Sequence, residues 1–154
     1  MEDILKLNWD DIDSLIDSLS DEIKQSGIKF DNIIALGRGG LIPGAALSYK
    51  LNIPNLQNLG IITREKSDHI KTIIYQMPRD LTKESKILIV DDINDSGRTF
   101  DSVKSILQSH YEIGEENLYF ASLIKRNSTE FDSSNTISGN TVYITSWLQF
   151  PWDK

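Results

Sequence analysis

The fold is decided by residues 87–99, which read ILIVDDINDSGRT. The first four are apolar, and a continuous apolar run is typical of a parallel strand that is covered on both faces. Two adjacent carboxylates, Asp91 and Asp92, follow directly, and burying such a pair is costly unless a cation or hydroxyl groups lie beside it. We therefore predict a strand, then a turn at 91–98, then a helix from about 99 to 110.

The turn carries the chemistry of a sugar-phosphate site. Free N–H groups at a helix N-terminus bind phosphate, and Ser96 and Thr99 place hydroxyls beside them. The two carboxylates suit a hydrated Mg²⁺ or the hydroxyls of a sugar. One loop can thus hold a ribose by its hydroxyls and a phosphate by its backbone. The alternative is a solvated turn with a helix cap at Asp95 or Ser96.

The rest of the chain alternates predicted strands and helices, which indicates an α/β protein with a parallel sheet. Helices are predicted at 10–26, 41–51 and 99–110, and strands at 32–36, 56–63, 70–76, 86–90, 117–124 and 141–146. The charged segment 64–69 and the Ser/Thr/Asn-rich segment 127–140 are predicted loops. Asp10 or Asp11 is expected to cap the first helix, and Gly27 to end it.

Two turns leave predicted strands at their carboxyl ends, where open α/β sheets bind ligands. They are the acidic turn and the Gly-rich turn at 37–40. Other phosphate and metal motifs do not fit. Gly39 and Gly44 have the spacing of a Walker loop, but Ala45-Ala46 replaces its Lys-Ser/Thr. A calcium loop beginning at Asp92 would require Glu where Val103 stands.

Composition narrows the class of protein. The chain has 154 residues, the usual size of one domain, and contains no cysteine, which excludes thiol catalysis and zinc-thiolate sites. The formal charge of −7 argues against sequence-independent binding to nucleic acid. No apolar run suits a membrane span, and the start Met1-Glu2-Asp3 lacks the basic character of a signal peptide. We therefore expect a cytoplasmic location, with no membrane or nucleic-acid partner.

Three segments together resemble one family. Residues 87–99 resemble the signature of the type I phosphoribosyltransferases: apolar residues, two acids, a third acid and a Thr/Ser-Gly-x-Thr. Residues 34–44, IALGRGGLIPG, are similar to the pyrophosphate-binding loop of the bacterial xanthine-guanine phosphoribosyltransferases. Residues 147–153, WLQFPWD, resemble the purine-covering hood of the same enzymes. The matches run in order from about residue 9 to 153, although 60–85 aligns poorly.

The resemblance implies a fold and a reaction. The fold is the type I phosphoribosyltransferase α/β fold: a central, mostly parallel sheet flanked by helices, in one domain over 1–154 with a small C-terminal hood at about 137–154. The implied reaction transfers 5-phosphoribosyl from phosphoribosyl pyrophosphate (PRPP) to a 6-oxopurine, which is xanthine, guanine or hypoxanthine. Its products are a nucleoside monophosphate and pyrophosphate, as in purine salvage. Mg²⁺ is the implied cofactor, and a homo-oligomer (dimer or tetramer) the implied assembly.

The resemblance also implies roles for single residues. Asp95 is the implied catalytic residue, handling the proton at purine N7, and Asp91 and Asp92 hold the ribose hydroxyls directly or through the metal. The implied contacts to PRPP are Arg38, Gly39, Asp91, Asp92, Asp95, Ser96, Gly97, Arg98 and Thr99, with Arg38 and Gly39 at pyrophosphate. The implied contacts to the purine are Asp95, Lys125 at the 6-oxygen, Trp147 stacked on the ring and the backbone of Leu148 at the 2-position.

Some alternatives stay open. Lys125 and Arg126 can instead form a solvated basic pair, and Trp147 can be an ordinary packing residue. The stretch at about 63–72, which matches the family's flexible lid, lacks its common Ser-Tyr pair, so no lid residue is assigned. Two other functions also remain: a phosphoribosyltransferase for a pyrimidine base, and a PRPP-sensing regulator that binds RNA or DNA.

Overall fold

The structure is a computed structural model that describes residues 3–126, 129, 131, 135–142 and 146–153. The helices are α1 (Trp9–Gln25), α2 (Leu41–Lys50) and α3 (Arg98–Tyr111), with a short 3₁₀ turn at Glu115–Asn117. The strands are β1 (Ile4–Lys6), β2 (Asn32–Gly37), β3 (Leu56–Lys66), β4 (His69–Gln76), β5 (Ile87–Asn94), β6 (Leu118–Arg126), β7 (Thr136–Val142) and β8 (Trp147–Gln149).

Six strands form a central sheet in the order β4-β3-β2-β5-β6-β7. Every neighbouring pair is parallel except β3 and β4, which form an antiparallel hairpin at one edge. This is the predicted mostly parallel sheet. Its central strands β2 and β5 lie side by side, so the turns that follow them emerge together.

Strand β5 is buried on both faces, as its continuous apolar run predicted. Leu88 and Val90 pack in the core cluster that contains α1 and α2, while Ile87 and Ile89 pack in the cluster that contains α3. Successive side chains of a strand point to opposite faces, so one strand supports both helix layers. The acidic turn therefore begins from a strand that is enclosed on both faces.

Helix α1 begins one residue before its predicted start and uses a different cap. Asn8 is the N-cap: its Oδ1 accepts a hydrogen bond from the Asp11 N–H (2.9 Å), and Asp11 Oδ2 accepts one from the Asn8 N–H (2.8 Å). This reciprocal pair is a capping box, which satisfies two donors that the helix leaves open. The predicted cap at Asp10 or Asp11 is wrong in position, although Asp11 takes part.

Two predicted boundaries are wrong because neighbouring strands extend the pairing. The turn predicted at 91–98 begins later, since β5 continues to Asn94 with Asn94 in register with Lys125 of β6. The charged segment 64–69, predicted as a loop, largely belongs to the β3–β4 hairpin, in which Arg64 pairs with Lys71. In both places backbone pairing outweighs the polar character of the side chains.

The loop predicted at 127–140 is wrong for its last residues, which belong to a strand. Strand β7 begins at Thr136 and pairs in parallel with β6, with Phe120 opposite Thr136. The predicted strand at 141–146 overlaps β7 only at 141–142, and residues 143–145 lie outside the described part of the chain. Residues 127, 128, 130 and 132–134 of the predicted loop also lie outside it.

A second, two-stranded sheet joins the two ends of the described chain. Strand β1 pairs in parallel with β8, with Leu5 opposite Leu148. The part of the predicted hood over 146–153 therefore rests on residues that precede α1, an arrangement that the sequence did not suggest. Among the described residues, no helix is long and apolar enough to cross a membrane.

Candidate active site

Two loops meet at the carboxyl edge of the sheet. The Gly-rich loop follows β2, and the acidic loop follows β5, its direct neighbour. A side chain at Gly39 would collide with the carboxylate of Asp92, so the backbone of one loop touches the acid of the other. The Gly37–Arg38 peptide bond in this loop is cis. Only glycine permits this approach at position 39, which brings two separately predicted sets of residues into one site.

The two adjacent carboxylates are half-buried. Asp91 Oδ1 accepts a hydrogen bond from the Asp92 N–H (2.9 Å), and Asp92 Oδ1 accepts one from the Ile93 N–H (2.7 Å). Burial raises the pKa of Asp91 well above its ordinary value, and the charge of Asp92 raises it further. Burial also raises the pKa of Asp92, against the opposing effect of the Ile93 hydrogen bond. The pair is therefore suited to a cation or to hydroxyl donors.

The start of α3 forms the other half of the acidic loop. Gly97 is the N-cap residue with φ of 86°, and the helix begins without a side-chain cap hydrogen bond. A side chain at Gly97 would also collide with Phe131. A cavity of about 180 Å³ lies here, lined by Asp91, Asp92, Ile93, Asn94, Asp95, Ser96, Gly97, Thr99 and Phe100. This cavity therefore brings together most of the predicted PRPP residues. Of the predicted PRPP residues in the acidic loop, only Arg98 is absent from the cavity wall.

A larger cavity, of about 1200 Å³, opens on the other side of Asp92. Its wall includes the predicted pyrophosphate residues Arg38 and Gly39. It also includes Asn58, Arg64 and Tyr75 of the β3–β4 hairpin, which the sequence did not single out. Trp152 and Asp153 of the predicted hood, to which the sequence assigned no individual role, complete this side of the wall. Arg38 is exposed and faces this open space, as a residue that binds a charged ligand must.

Asp95, the predicted catalytic residue, forms an ion pair that the sequence did not predict. Arg126 Nε lies 2.8 Å from Asp95 Oδ1, and Arg126 Nη2 donates to the backbone oxygen of Ser146 (2.9 Å). The Arg126 side chain is only 10% exposed, whereas that of Asp95 is 54% exposed. Arg126 is therefore no solvated partner of Lys125. In the sequence Arg126 directly follows Lys125, and nothing there identifies Asp95 as its partner.

The predicted purine residues are less closely grouped. Lys125 is half-buried near the end of β6, and Trp147 is 61% exposed at the start of β8. Leu148 is buried and lines a separate apolar groove against α1 with Leu5, Leu7, Leu15 and Ile124. None of these three residues lies in the walls of the two cavities beside Asp92. Their roles at the base remain predictions.

Trp152 is a second residue that sequence reasoning left aside. Its ring stacks on Phe150 with centroids 4.9 Å apart and contacts Trp9 of α1 at 5.9 Å. These contacts pack the ring against both the C-terminal segment and α1. The same ring also forms part of the large cavity wall beside Asp153, so its packing serves the site.

The donor set at Asp91 and Asp92 fits Mg²⁺ held jointly with a ligand. Within the described residues, no group of three or more His, Cys, Asp or Glu side chains is arranged to hold a metal. Mg²⁺ commonly binds through one or two carboxylates and completes its shell with water and substrate phosphates. Two half-buried carboxylates with raised pKa values provide such a partial set.

Comparison with known proteins agrees with this geometry. Residues 8–153 match the family model described as "Phosphoribosyl transferase domain". The xanthine-guanine phosphoribosyltransferase of Chromohalobacter salexigens is 26% identical over 149 residues, which cover 96% of this chain and 82% of that protein. Its counterpart in Gluconobacter oxydans is 26% identical over 150 residues, covering 96% and 83%.

Solved structures confirm the predicted fold. The structure of a purine phosphoribosyltransferase from Pyrococcus horikoshii matches this one with a TM-score of 0.81 at 26% identity, covering 99% of this chain and 95% of that one. The predicted type I phosphoribosyltransferase fold and the predicted enzyme class, a pentosyltransferase, are therefore confirmed. Because the family model spans nearly the whole chain, including both loops that meet at Asp92, this chain belongs to the phosphoribosyltransferase family.

Proposed function

We propose that this protein transfers the 5-phosphoribosyl group of PRPP to a 6-oxopurine, releasing pyrophosphate and a nucleoside monophosphate for purine salvage. One observation carries the proposal: the backbone of Gly39 lies against the carboxylate of Asp92, so the loops predicted to bind pyrophosphate and ribose phosphate adjoin each other. The relatives' names supply the acceptor, since two curated relatives are xanthine-guanine enzymes and one solved relative is a purine enzyme.

The phosphoribosyl group is assigned to the acidic loop. Its 5′-phosphate binds at the start of α3, where Ser96, Gly97, Arg98 and Thr99 provide hydroxyls, a cation and backbone N–H groups. The ribose hydroxyls bind Asp91 and Asp92, directly or through the metal. The small cavity beside α3 supports this assignment because most of these residues line it.

The leaving group is assigned to the large cavity. Arg38 and the backbone at Gly39 hold the pyrophosphate as the bond from C1′ to its oxygen breaks. Positive charge then develops on the sugar, and the neighbouring carboxylates stabilise it. Asp91 and Asp92 would hold Mg²⁺ together with the ligand, and the bound ion would supply positive charge for the leaving pyrophosphate.

The purine is assigned to the side of the site near Asp95. The base forms its new bond to C1′ through N9 while Asp95 accepts the proton at N7. Lys125 donates to the 6-oxygen, which favours 6-oxopurines over adenine because the adenine 6-position is itself a donor. Trp147 stacks on the ring, and the backbone of Leu148 faces the 2-position. The exposure of the Trp147 ring, 61%, leaves it accessible to a base.

The proposal includes three wider expectations. The protein acts in the cytoplasm, it self-associates as a dimer or tetramer, and it does not bind nucleic acid. The net charge of −7 supports the last of these, because nucleic-acid binding relies on basic surfaces. Light scattering measures the self-association, and a gel shift with RNA and DNA measures the binding.

The decisive experiment is product analysis with PRPP, Mg²⁺ and each of guanine, xanthine, hypoxanthine, adenine and uracil. We expect a nucleoside monophosphate from at least one 6-oxopurine and none after chelation of Mg²⁺. Turnover of uracil alone would instead assign a pyrimidine enzyme. PRPP binding without any turnover, together with a gel shift, would assign a regulator.

A further inference from the structure

Arg126 connects two parts of the molecule that the proposed reaction needs at a fixed separation. Its guanidinium pairs with Asp95 of the acidic loop through Nε at 2.8 Å. Through Nη2 it donates to the carbonyl of Ser146, the residue that precedes Trp147 and β8, at 2.9 Å. The base is expected to bind between these two elements. Arg126 therefore spans the purine side of the site from within the protein.

The chemistry of arginine suits such a connection. The guanidinium is planar, and its donors are held in a rigid fork, so two hydrogen bonds from it fix the relative position of two acceptors. The Arg126 side chain is 10% exposed and leaves β6 at its last residue, so its own position is well defined. The Asp95 side chain is 54% exposed and depends more on a partner for its orientation.

We propose that Arg126 is a positioning residue for the purine half-reaction, orienting the carboxylate of Asp95 and anchoring the start of β8. This inference rests on the proposed function and adds to it, since it assigns a role to a residue that the family resemblance did not. In this role Arg126 acts through the two groups that its guanidinium contacts, Asp95 and Ser146. In the acidic loop it pairs with Asp95, the residue assigned to the purine proton.

The competing explanation is that Arg126 is a buried charge that only stabilises the fold. Removing one partner of a buried pair is destabilising in either case, so loss of stability alone does not separate the two explanations. Loss of a positioning residue has a more specific kinetic effect. Its loss changes the parameters for the purine more than those for PRPP, because its partner Asp95 carries the proton role at the purine.

The test compares Arg126→Gln and Arg126→Lys with the wild type, using Lys104→Gln as the control. Lys104 pairs with Glu115 at 2.7 Å, which makes it an ion pair of similar length outside the site. We expect Arg126→Gln to lower kcat/KM for the purine by about 10- to 100-fold, within the usual range for misplaced acid–base groups, while KM for PRPP changes less than about twofold. Arg126→Lys keeps the positive charge but lacks the forked guanidinium, so its kcat/KM for the purine should lie between those of Arg126→Gln and the wild type.

A second comparison uses Asp95→Asn as the background. If Arg126 acts mainly through Asp95, then Arg126→Lys should lower kcat/KM clearly less in the Asp95→Asn background than in the wild type, and the remaining loss reflects the anchor at Ser146. This comparison also covers the case in which Arg126→Gln does not fold, because the lysine variant keeps a cation at the buried position. Circular dichroism and thermal unfolding report folding for every variant.

Three results would overturn the inference: equal losses for purine and PRPP, purine kinetics within about twofold of Lys104→Gln, or additive effects in the double variant. Each of these requires an active wild type. An inactive wild type with all five bases would instead overturn the proposed function, so the two failures are distinct.

Discussion

The end of β5 and the β3–β4 hairpin border the same large cavity, but the fold holds them in opposite ways. Strand β5 lies between two parallel neighbours, and its carboxylates are half-buried. Strand β4 is at the edge of the sheet, pairs only with β3 and exposes most of its side chains. The acidic side of the site is thus part of the core, whereas the hairpin side is attached along one edge. We expect substitutions at β5 to affect the chemical step and those in the hairpin to affect ligand binding.

The largest effect is expected from Asp95→Asn. It should lower kcat by about 100-fold or more, the usual contribution of a general base, and change the Kd for PRPP far less. Turnover with a 6-oxopurine gives kcat, and calorimetric titration with PRPP gives Kd. Asp80→Asn, at an exposed turn residue, is the matched control. Equal losses of turnover and PRPP affinity would contradict the proton role of Asp95.

Gly39→Ala should have the next largest effect, because its new methyl group collides with the Asp92 carboxylate. Misplacement of a reacting group by about 1 Å costs up to about 100-fold, so we expect kcat/KM for PRPP to fall by about 10- to 100-fold. Gly27→Ala is the control: a side chain there meets nothing within 4 Å, although its φ of 70° lowers stability. Equal kinetics of the two variants would show that the loops do not depend on their contact.

Arg64→Ala tests the hairpin side and should have a smaller effect. An exposed charge interaction contributes up to about 1 kcal/mol, so KM for PRPP should rise by about fivefold at most while kcat is unchanged. Lys71→Ala, exposed on β4 and opposite Arg64 in the hairpin, is the control. A fall in kcat/KM for PRPP as large as that expected for Gly39→Ala would show that the hairpin side and the acidic side of the site do not differ in this way.

The smallest expected effect is on stability. Because the folded protein raises the pKa of Asp92 above 3.8, its ionisation opposes folding, and this destabilisation grows as the pH rises from about 4 to neutrality. Asp92→Asn removes the charge, so without Mg²⁺ or PRPP its Tm at neutral pH should exceed that of the wild type. The difference should disappear near pH 4. A lower Tm for Asp92→Asn at neutral pH would contradict this cause.

The sequence predicted the centre of the fold better than its edges. Burial on both faces leaves a continuous apolar run, so β5 was recognised, and the periodicity of α1 placed that helix to within a residue at each end. Strand β7 was missed because Ser, Thr and Asn dominate its sequence, and pairing with β6 holds it in the sheet. The two strands of the β3–β4 hairpin were predicted too short, because the residues that pair near its turn are charged.

Within the candidate site, residues in contiguous motifs were predictable and residues brought in by tertiary packing were not. The loop residues were predictable because both loops are contiguous motifs, and strand adjacency then brought Gly39 to Asp92. Arg126 was not predictable as a partner of Asp95, because the pair depends on how far β6 extends beyond the apolar run. Asn58, Tyr75 and Trp152 join the cavity wall only through tertiary packing, for which the sequence carries no local signal.

The parallel pairing of β1 with β8 has a consequence for the order in which the molecule is assembled. Strands β1 and β8 are far apart in the sequence, so pairing them directly carries a high loop-closure cost until the intervening chain is folded. The central six-stranded sheet forms between them and brings them within reach of each other. We therefore expect the pairing of β1 with β8 to follow formation of the central sheet.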